Sequence, residues 1–244
     1  MHLKKVKILN RPNFIKALEA ISKINDSAIL SFKEAENKQI TSIASSVDNT
    51  MIIYCEMGGI ESDFRGNLNI PDIKKLVRVL DAIQADEVIL TINNNSIEYT
   101  GKTSRFKYHM YEDGFLVPPT INISKVQGFA YDINFTLKKD TIQSIIRGSA
   151  FATDTNKLYL YTLDNRLKGE LTDRSRHNTD VFELDLGEVA FDLSPLPFNL
   201  DNIKLVSLVT NDISFGINTK YGVSIIDIQD SDIKLKYILT SLTQ

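Results

Sequence analysis

Residues 131–146 read YDINFTLKKDTIQSII, and the fold turns on what that stretch repeats. Tyr131 to Leu137 has the make-up of a strand, and Asp140 to Gln143 has the spacing of a helix-capping box. Ile142, Ile145 and Ile146 give the ensuing helix its buried side. The start of the chain has the same order. Leu3 to Leu9 reads as a strand, and Asn10-Arg11-Pro12 as a helix start, because proline in the first turn gives up an N–H that would have no partner. That helix runs to about Ile24, with Phe14, Leu18 and Ile21 on one face. Ile8 precedes its helix as Phe135 does.

Working outward, the elements continue in two matching series. In the first half, strands are predicted at Ala28 to Lys33, Gln39 to Ser45, Met51 to Glu56 and Glu61 to Asn69. Pro71 opens a second helix to Ile83, striped by Ile73, Leu76, Val77, Leu80 and Ile83. Glu87 to Ile92 and Ser96 to Thr100 flank Asn93-Asn94-Asn95, residues that tolerate the positive φ of a tight hairpin. Arg105 to Tyr111 closes the half. In the second, strands follow at Lys157 to Thr162, Arg166 to Thr172 and Thr179 to Leu186. An irregular segment, Ala190 to Leu200, stands where the second helix belongs, and Ser194-Pro195-Leu196-Pro197 breaks any regular helix there. Ile203 to Val209, Ile213 to Asn218, Gly222 to Ile228 and Lys234 to Leu239 read as strands. Ile97-Glu98-Tyr99 corresponds to Ile213-Ser214-Phe215, and matching elements lie roughly 115 to 130 residues apart, far beyond a solenoid repeat. The chain is a duplicated α+β domain.

Its 244 residues are enough for two cores of ordinary size. A hydrophobic share of 43% with 24% charged residues is that of a soluble globular protein. Cys55 is the single cysteine, which excludes an internal disulfide and a Cys-rich zinc site and suits a reducing compartment, the cytoplasm. Met1-His2-Leu3-Lys4-Lys5 leads into charged sequence and not into an apolar signal segment, and no run is long enough to span a membrane. Abundant Ile, Asn, Asp and Lys with no Trp suit an AT-rich genome and a viral source, in which case the compartment is the host cytoplasm.

The net charge of -3 hides an asymmetry. Residues 11–24 hold Arg11, Lys16 and Lys23 against Glu19, and residues 71–83 hold Lys74, Lys75 and Arg78 against Asp72 and Asp81. Residues 138–150 hold Lys138, Lys139 and Arg147 against Asp140, while residues 190–200 hold only Asp192. Nine basic and five acidic groups leave these segments at +4 and the remainder at -7, from 28 and 31 in the chain. Lys16, Lys23, Lys75, Arg78 and Arg147 fall opposite the apolar stripes. Two readings stay open: a surface that meets phosphates, or the charged solvent face of any amphipathic helix. Gly114-Phe115-Leu116-Val117-Pro118-Pro119 is likewise either a bare linker or an ordered connector, and its apolar residues exceed what a solvated spacer needs.

No catalytic residue, metal site or cofactor is predicted. His2, His109 and His177 are scattered. Gly58-Gly59 and Gly66 lack the Lys-Ser/Thr of a phosphate loop, and no G-x-G-x-x-G occurs. Glu183, Asp185, Glu188 and Asp192 admit acid–base or Mg²⁺ chemistry, but their alternation on a strand favours a solvated edge. Arg174-Ser175-Arg176-His177-Asn178 reads as an exposed polar turn, with a phosphate contact as the alternative.

Three stretches carry a resemblance to the sliding clamps, the DNA polymerase processivity factors, nearest the two-domain type of proliferating cell nuclear antigen and the tailed-phage clamps. They are Ser62-Asp63-Phe64-Arg65 through Ile70-Pro71-Asp72-Ile73-Lys74-Lys75-Leu76, Tyr131 to Ile146, and Val223-Ser224-Ile225-Ile226-Asp227-Ile228 to Leu235-Lys236-Tyr237-Ile238-Leu239. The resemblance implies clamp domains at 1–113 and 128–244 joined by a connector at 114–127, with antiparallel sheets outside and helices lining the channel of a homotrimeric ring. It implies a binding protein without catalysis, whose partners are duplex DNA held without regard to sequence, a DNA polymerase, a clamp-loader ATPase and further copies of itself. The DNA-facing set is Arg11, Lys16, Lys23, Lys74, Lys75, Arg78, Lys138, Lys139 and Arg147. A pocket for partner peptides is implied at Phe115, Leu116, Val117, Pro118, Leu239 and Thr240. Thr240-Ser241 depart from the Ala-Pro that follows the final Leu in cellular clamps. A trimeric β-rich phage tail or baseplate protein is the competing reading, and an enzyme using the 183–192 carboxylates a third.

Overall fold

A computed structural model describes residues 4–32, 39–121, 124, 126, 128–206 and 212–242. The chain forms two compact units, residues 1–123 with 229–236, and residues 124–228 with 237–244.

The first unit runs β1 (Lys4–Ile8), α1 (Arg11–Ser22), β2 (Ala28–Phe32), β3 (Ile40–Ser45), β4 (Met51–Met57), β5 (Ile60–Ser62), β6 (Gly66–Ile70), α2 (Ile73–Asp81), β7 (Val88–Asn93), β8 (Ser96–Thr100) and β9 (Arg105–His109). One antiparallel sheet has the order β5-β1-β7-β8-β9, and β4-β3-β2-β6 are neighbours in another. The helix starts follow from side-chain caps. Asn10 accepts the Asn13 N–H at 3.1 Å, and Asp72 accepts the Lys75 N–H at 2.8 Å. Pro71 therefore precedes the cap of α2 and does not open the helix. The strand expected over Glu61 to Asn69 is two strands in different sheets. Between them Asp63 takes the Lys5 N–H of β1, and Gly66 has φ 127°, open to glycine alone. Segment 229–236 completes this unit: Gly58 N–H donates to Asp232 C=O at 2.7 Å, and Lys234 pairs with Glu56 at 3.9 Å.

The second unit runs β10 (Ile133–Leu137), α3 (Lys139–Gly148), β11 (Lys157–Leu163), β12 (Arg166–Leu171), β13 (Phe182–Glu188), β14 (Leu196–Asn199), α4 (Leu200–Val206), β15 (Ile213–Asn218), β16 (Val223–Asp230) and β17 (Ile233–Thr240), the last two entering it with their residues outside 229–236. Its sheets have the orders β13-β12-β11-β14 and β10-β15-β16-β17. Ile142 and Ile145 of α3 and Ile203 and Val206 of α4 meet Leu158, Leu160 and Phe215 in one apolar core.

Three expectations are corrected here. Asp140 caps nothing: the cap of α3 is Lys138, without a side-chain bond, and Asp212 accepts the Lys139 N–H at 3.1 Å instead. The strand expected from Ile203 is helix α4 through Val206, with residues 207–209 outside the described ones. Asn199 accepts the Asp201 N–H at 2.9 Å, and Leu200, Ile203 and Val206 are buried at helical spacing. The second half thus has the helix that looked absent. Positive φ belongs to Asp164 and Asn165 in the β11–β12 hairpin, at 51° and 58°, and not to the Asn93-Asn94-Asn95 turn.

Candidate nucleic-acid interface and partner surface

The helix cations divide into those occupied within the chain and those not. Arg11 is occupied. Its Nε donates to Ala85 C=O at 2.8 Å and its Nη1 to Leu80 C=O at 3.1 Å, and it pairs with Asp81 at 3.8 Å. The side chain, only 12% exposed, thereby braces the end of α2 and the turn that follows it. Lys16 reaches Asp230 at 3.8 Å and Lys74 reaches Asp26 at 2.7 Å, both with exposed heads. Lys23, at the C-cap of α1, is crowded enough that desolvation lowers its pKa, with Glu19 opposing.

Lys75 and Arg78 on α2 are exposed and form no ion pair with any described residue. They stand opposite the buried Ile73, Leu76 and Leu80. Lys138, Lys139 and Arg147 of the second unit are also exposed without an ion pair to a described residue. Four of the lysines, Lys74, Lys75, Lys138 and Lys139, occupy the N-cap or first turn of their helices. A cation there opposes the helix dipole, a cost of about 0.3–1 kcal/mol each at an exposed site. Helix stability therefore does not explain them. Sequence reasoning missed Lys204 on α4, which pairs with Asp201 at 3.4 Å, because that stretch was read as strand.

Three of the four carboxylates of the cluster meet two cations of β12. Asp185 binds Arg166 and lies 3.7 Å from Lys168, Glu188 lies 3.2 Å from Arg166, and Glu183 lies 3.3 Å from Lys168. The Tyr161 hydroxyl donates to Glu183 and, with Lys168, holds its carboxyl below the usual range; Arg166 does the same for Asp185. A general acid needs the opposite shift. Arg174 makes a fork to Glu170 at 2.8 and 2.9 Å and lies over the rings of Tyr159 and Tyr161. Arg176 pairs with Asp173 at 3.3 Å. Among the described residues no group of three or more His, Cys, Asp or Glu could hold a metal ion, and no helix is long and apolar enough to cross a membrane.

In the first unit Phe115 and Val117 are 70% and 81% exposed, Pro118 is exposed and Leu116 half-buried; Phe115 stacks on Tyr111 at 5.8 Å. In the second unit Leu239 is buried in the core and Thr240 is exposed. That unit also carries an aromatic pair that the sequence reading passed over. Tyr221, 59% exposed, stacks on Phe129 at 5.7 Å, with the Lys220 ammonium 5.2 Å from its ring. Ser241 N–H donates to Gly222 C=O at 2.7 Å, which holds the C-terminal residues beside it.

No protein-family model matches the sequence, and no curated protein matches it by sequence. Solved structures match over the whole chain. Proliferating cellular nuclear antigen from Entamoeba histolytica is similar over 100% of both chains, with TM-score 0.75 and 13% identity. The H.pylori beta clamp in complex with 5-chloroisatin is similar over 100% of this chain and 67% of its own, with TM-score 0.77 and 14% identity. A. fulgidus PCNA bound to the C-terminal region of FEN-1 is similar over 99% of both, with TM-score 0.73 and 13% identity.

The chain has the sliding-clamp fold.

Its two units are clamp-like α+β domains, each with a strand–helix opening and a second helix after a short strand: β6 and α2 in one, β14 and α4 in the other. With α4 in place, this clamp fold has both helices in each half.

Proposed function

We propose that the protein is a sliding clamp, a homotrimeric ring around duplex DNA that tethers a replicative polymerase and has no catalytic activity of its own. One observation carries the reading: on a clamp fold of net charge -3, Lys75, Arg78, Lys138, Lys139 and Arg147 are exposed without ion pairs to described residues. Their attraction for phosphate is diffuse and indifferent to sequence, as sliding requires, while the ring's topology supplies retention. Lys16, Lys23 and Lys74 add to the field, and Arg11 contributes from its brace. The acidic remainder keeps DNA from the other faces.

In the first unit Phe115, Leu116, Val117 and Pro118 offer apolar surface to a partner peptide, and in the second Thr240 is exposed and Tyr221 with Phe129 offers an aromatic surface, while Leu239 is buried and supports its unit from the core. A. fulgidus PCNA, with the C-terminal region of FEN-1 bound, is a precedent for a clamp holding a short segment of another protein. A polymerase and a clamp-loader ATPase are the partners proposed here. The domains act as 1–113 and 128–244 with 114–127 between them, in the cytoplasm of a cell or of a virus-infected host.

Primer extension on a long template by the cognate polymerase and loader is the test. The protein should lengthen products, and unchanged length would sink the clamp reading in favour of a trimeric structural protein. Lys16, Lys75, Lys139 and Arg147 changed together to Ala should weaken loading and flatten its salt dependence, with the melting temperature kept.

A further inference from the structure

Strand β6 ends the run β4-β3-β2-β6, and among the described residues no strand pairs with its outer side. An edge of this kind offers backbone N–H and C=O groups to an incoming strand. The Asn69 C=O accepts the Tyr111 N–H at 3.0 Å and so faces away from β2. By the alternation of an antiparallel ladder, Asn67 turns its N–H and C=O the same way. Beside this edge the first unit has a cavity of about 590 Å³, walled by β6, the β7–β8 turn and residues 110–113. Leu68, Ile92 and Met110 give it an apolar lining.

Charge divides between the two ends of the cavity. Lys4 and Arg65 stand where β6 begins. The Lys4 ammonium lies 5.6 Å from the Phe64 ring, and Arg65 Nη1 is oriented by the Ser62 and Phe64 carbonyls at 2.8 and 2.7 Å. Glu112 and Asp113 stand at the other end. Asp113 accepts from Asn69 Nδ2 at 2.8 Å, and Glu112 lies 3.5 Å from Asn95 Nδ2. None of these four charged groups forms an ion pair with a described residue. At about 3.3 Å per residue, the four steps from Arg65 to Asn69 span roughly 13 Å. That is too long for a single amino acid and suits an extended peptide of about five residues. The two carboxylates would repel a phosphate chain. We propose that this groove takes a short extended segment of a partner protein, paired with the outer edge of β6 and charged oppositely at its two ends. Antiparallel pairing, the commoner kind, puts a basic side chain first, at Glu112 and Asp113, and an acidic one last, at Lys4 and Arg65. Apolar side chains between them pack on Leu68, Ile92 and Met110. The site lies wholly within the first unit and is independent of the ring reading.

The test is fluorescence anisotropy on the full-length protein with two labelled, end-blocked peptides, Lys-Val-Thr-Val-Glu and Glu-Val-Thr-Val-Lys. The first should bind more tightly. Arg65→Glu and Glu112→Lys should each weaken its binding about fivefold or more, and the double variant should turn the preference to the second peptide. Arg65→Gln, which adds no opposing charge, guards against misfolding and should show a smaller loss with the melting temperature kept. Methylating alternate backbone nitrogens of the peptide should abolish binding in one register and spare it in the other, because only every second residue of an added strand pairs. Equal affinity for both peptides, an unchanged preference in the double variant, equal effects of the two methylation registers, or no binding at about 1 mM peptide would each overturn the proposal. Primer extension is scored separately, so that the clamp reading stands or falls on its own result.

Discussion

Asp173 and Tyr108 show how single side chains link distant parts of each unit. The Asp173 carboxylate accepts from Lys157 Nζ at 2.8 Å and from the Ser175 N–H and hydroxyl at 3.1 and 2.6 Å, which holds its pKa far below the ordinary value, Lys157 first among the causes. A depressed folded pKa stabilises above the unfolded value, and the gain is lost as pH falls. Thermal melts from pH 7 to pH 3 should therefore fall less steeply for Asp173→Asn than for the parent; equal slopes would refute the linkage. The Tyr108 hydroxyl donates to Asp72 C=O at 2.7 Å and accepts the Asp72 N–H at 3.0 Å, tying β9 to the cap of α2. Burial pushes its pKa up to about 12. Here the contribution is complete below the unfolded value near 10 and is lost as pH rises through about 12. Tyr108→Phe should cost about 1–2 kcal/mol in urea titrations at neutral pH and remove that alkaline loss.

Among elements, those with one unambiguous period were legible and those set by tertiary neighbours were not. α1, α2 and α3 follow from apolar residues at helical spacing, and with them the outward direction of Lys75, Arg78 and Arg147. α4 was hidden because Ile203 to Val206 suits a strand as well as a helix and because two prolines precede it. Pro197 in fact lies in β14, an edge strand, where a missing N–H is tolerated. Arg11 looked available because nothing local shows that the carbonyls of Leu80 and Ala85, some 70 residues on, receive it. The Phe182 ring lies against Gly148 in α3, so that a Cβ there would overlap it. Gly148→Ala gains up to ~1 kcal/mol of helix propensity, but overpacking at a buried position costs about 1–3. The net should be a loss, read as a lower denaturant midpoint with unchanged slope, and a stabilised variant would show that the ring moves aside freely.

For the whole molecule, the duplication was the most legible feature, since it depends on element order and not on exact boundaries. The charge asymmetry was legible too, although its division into occupied and unoccupied cations required coordinates. A ring of three predicts light scattering near three times 27.5 kDa at concentrations where assembly is complete. A monomer at every concentration would contradict it. Segment 229–236, which completes the first unit through Gly58, Glu56 and Lys16, bears on biosynthesis. Domains usually fold in the order in which they leave the ribosome. Here the first unit lacks part of itself until residues 229–236 are translated, and the nascent chain carries an unfinished domain while the whole of 124–228 is made. A fragment ending at residue 123 should accordingly be poorly soluble and bind chaperones, where the 244-residue chain does not.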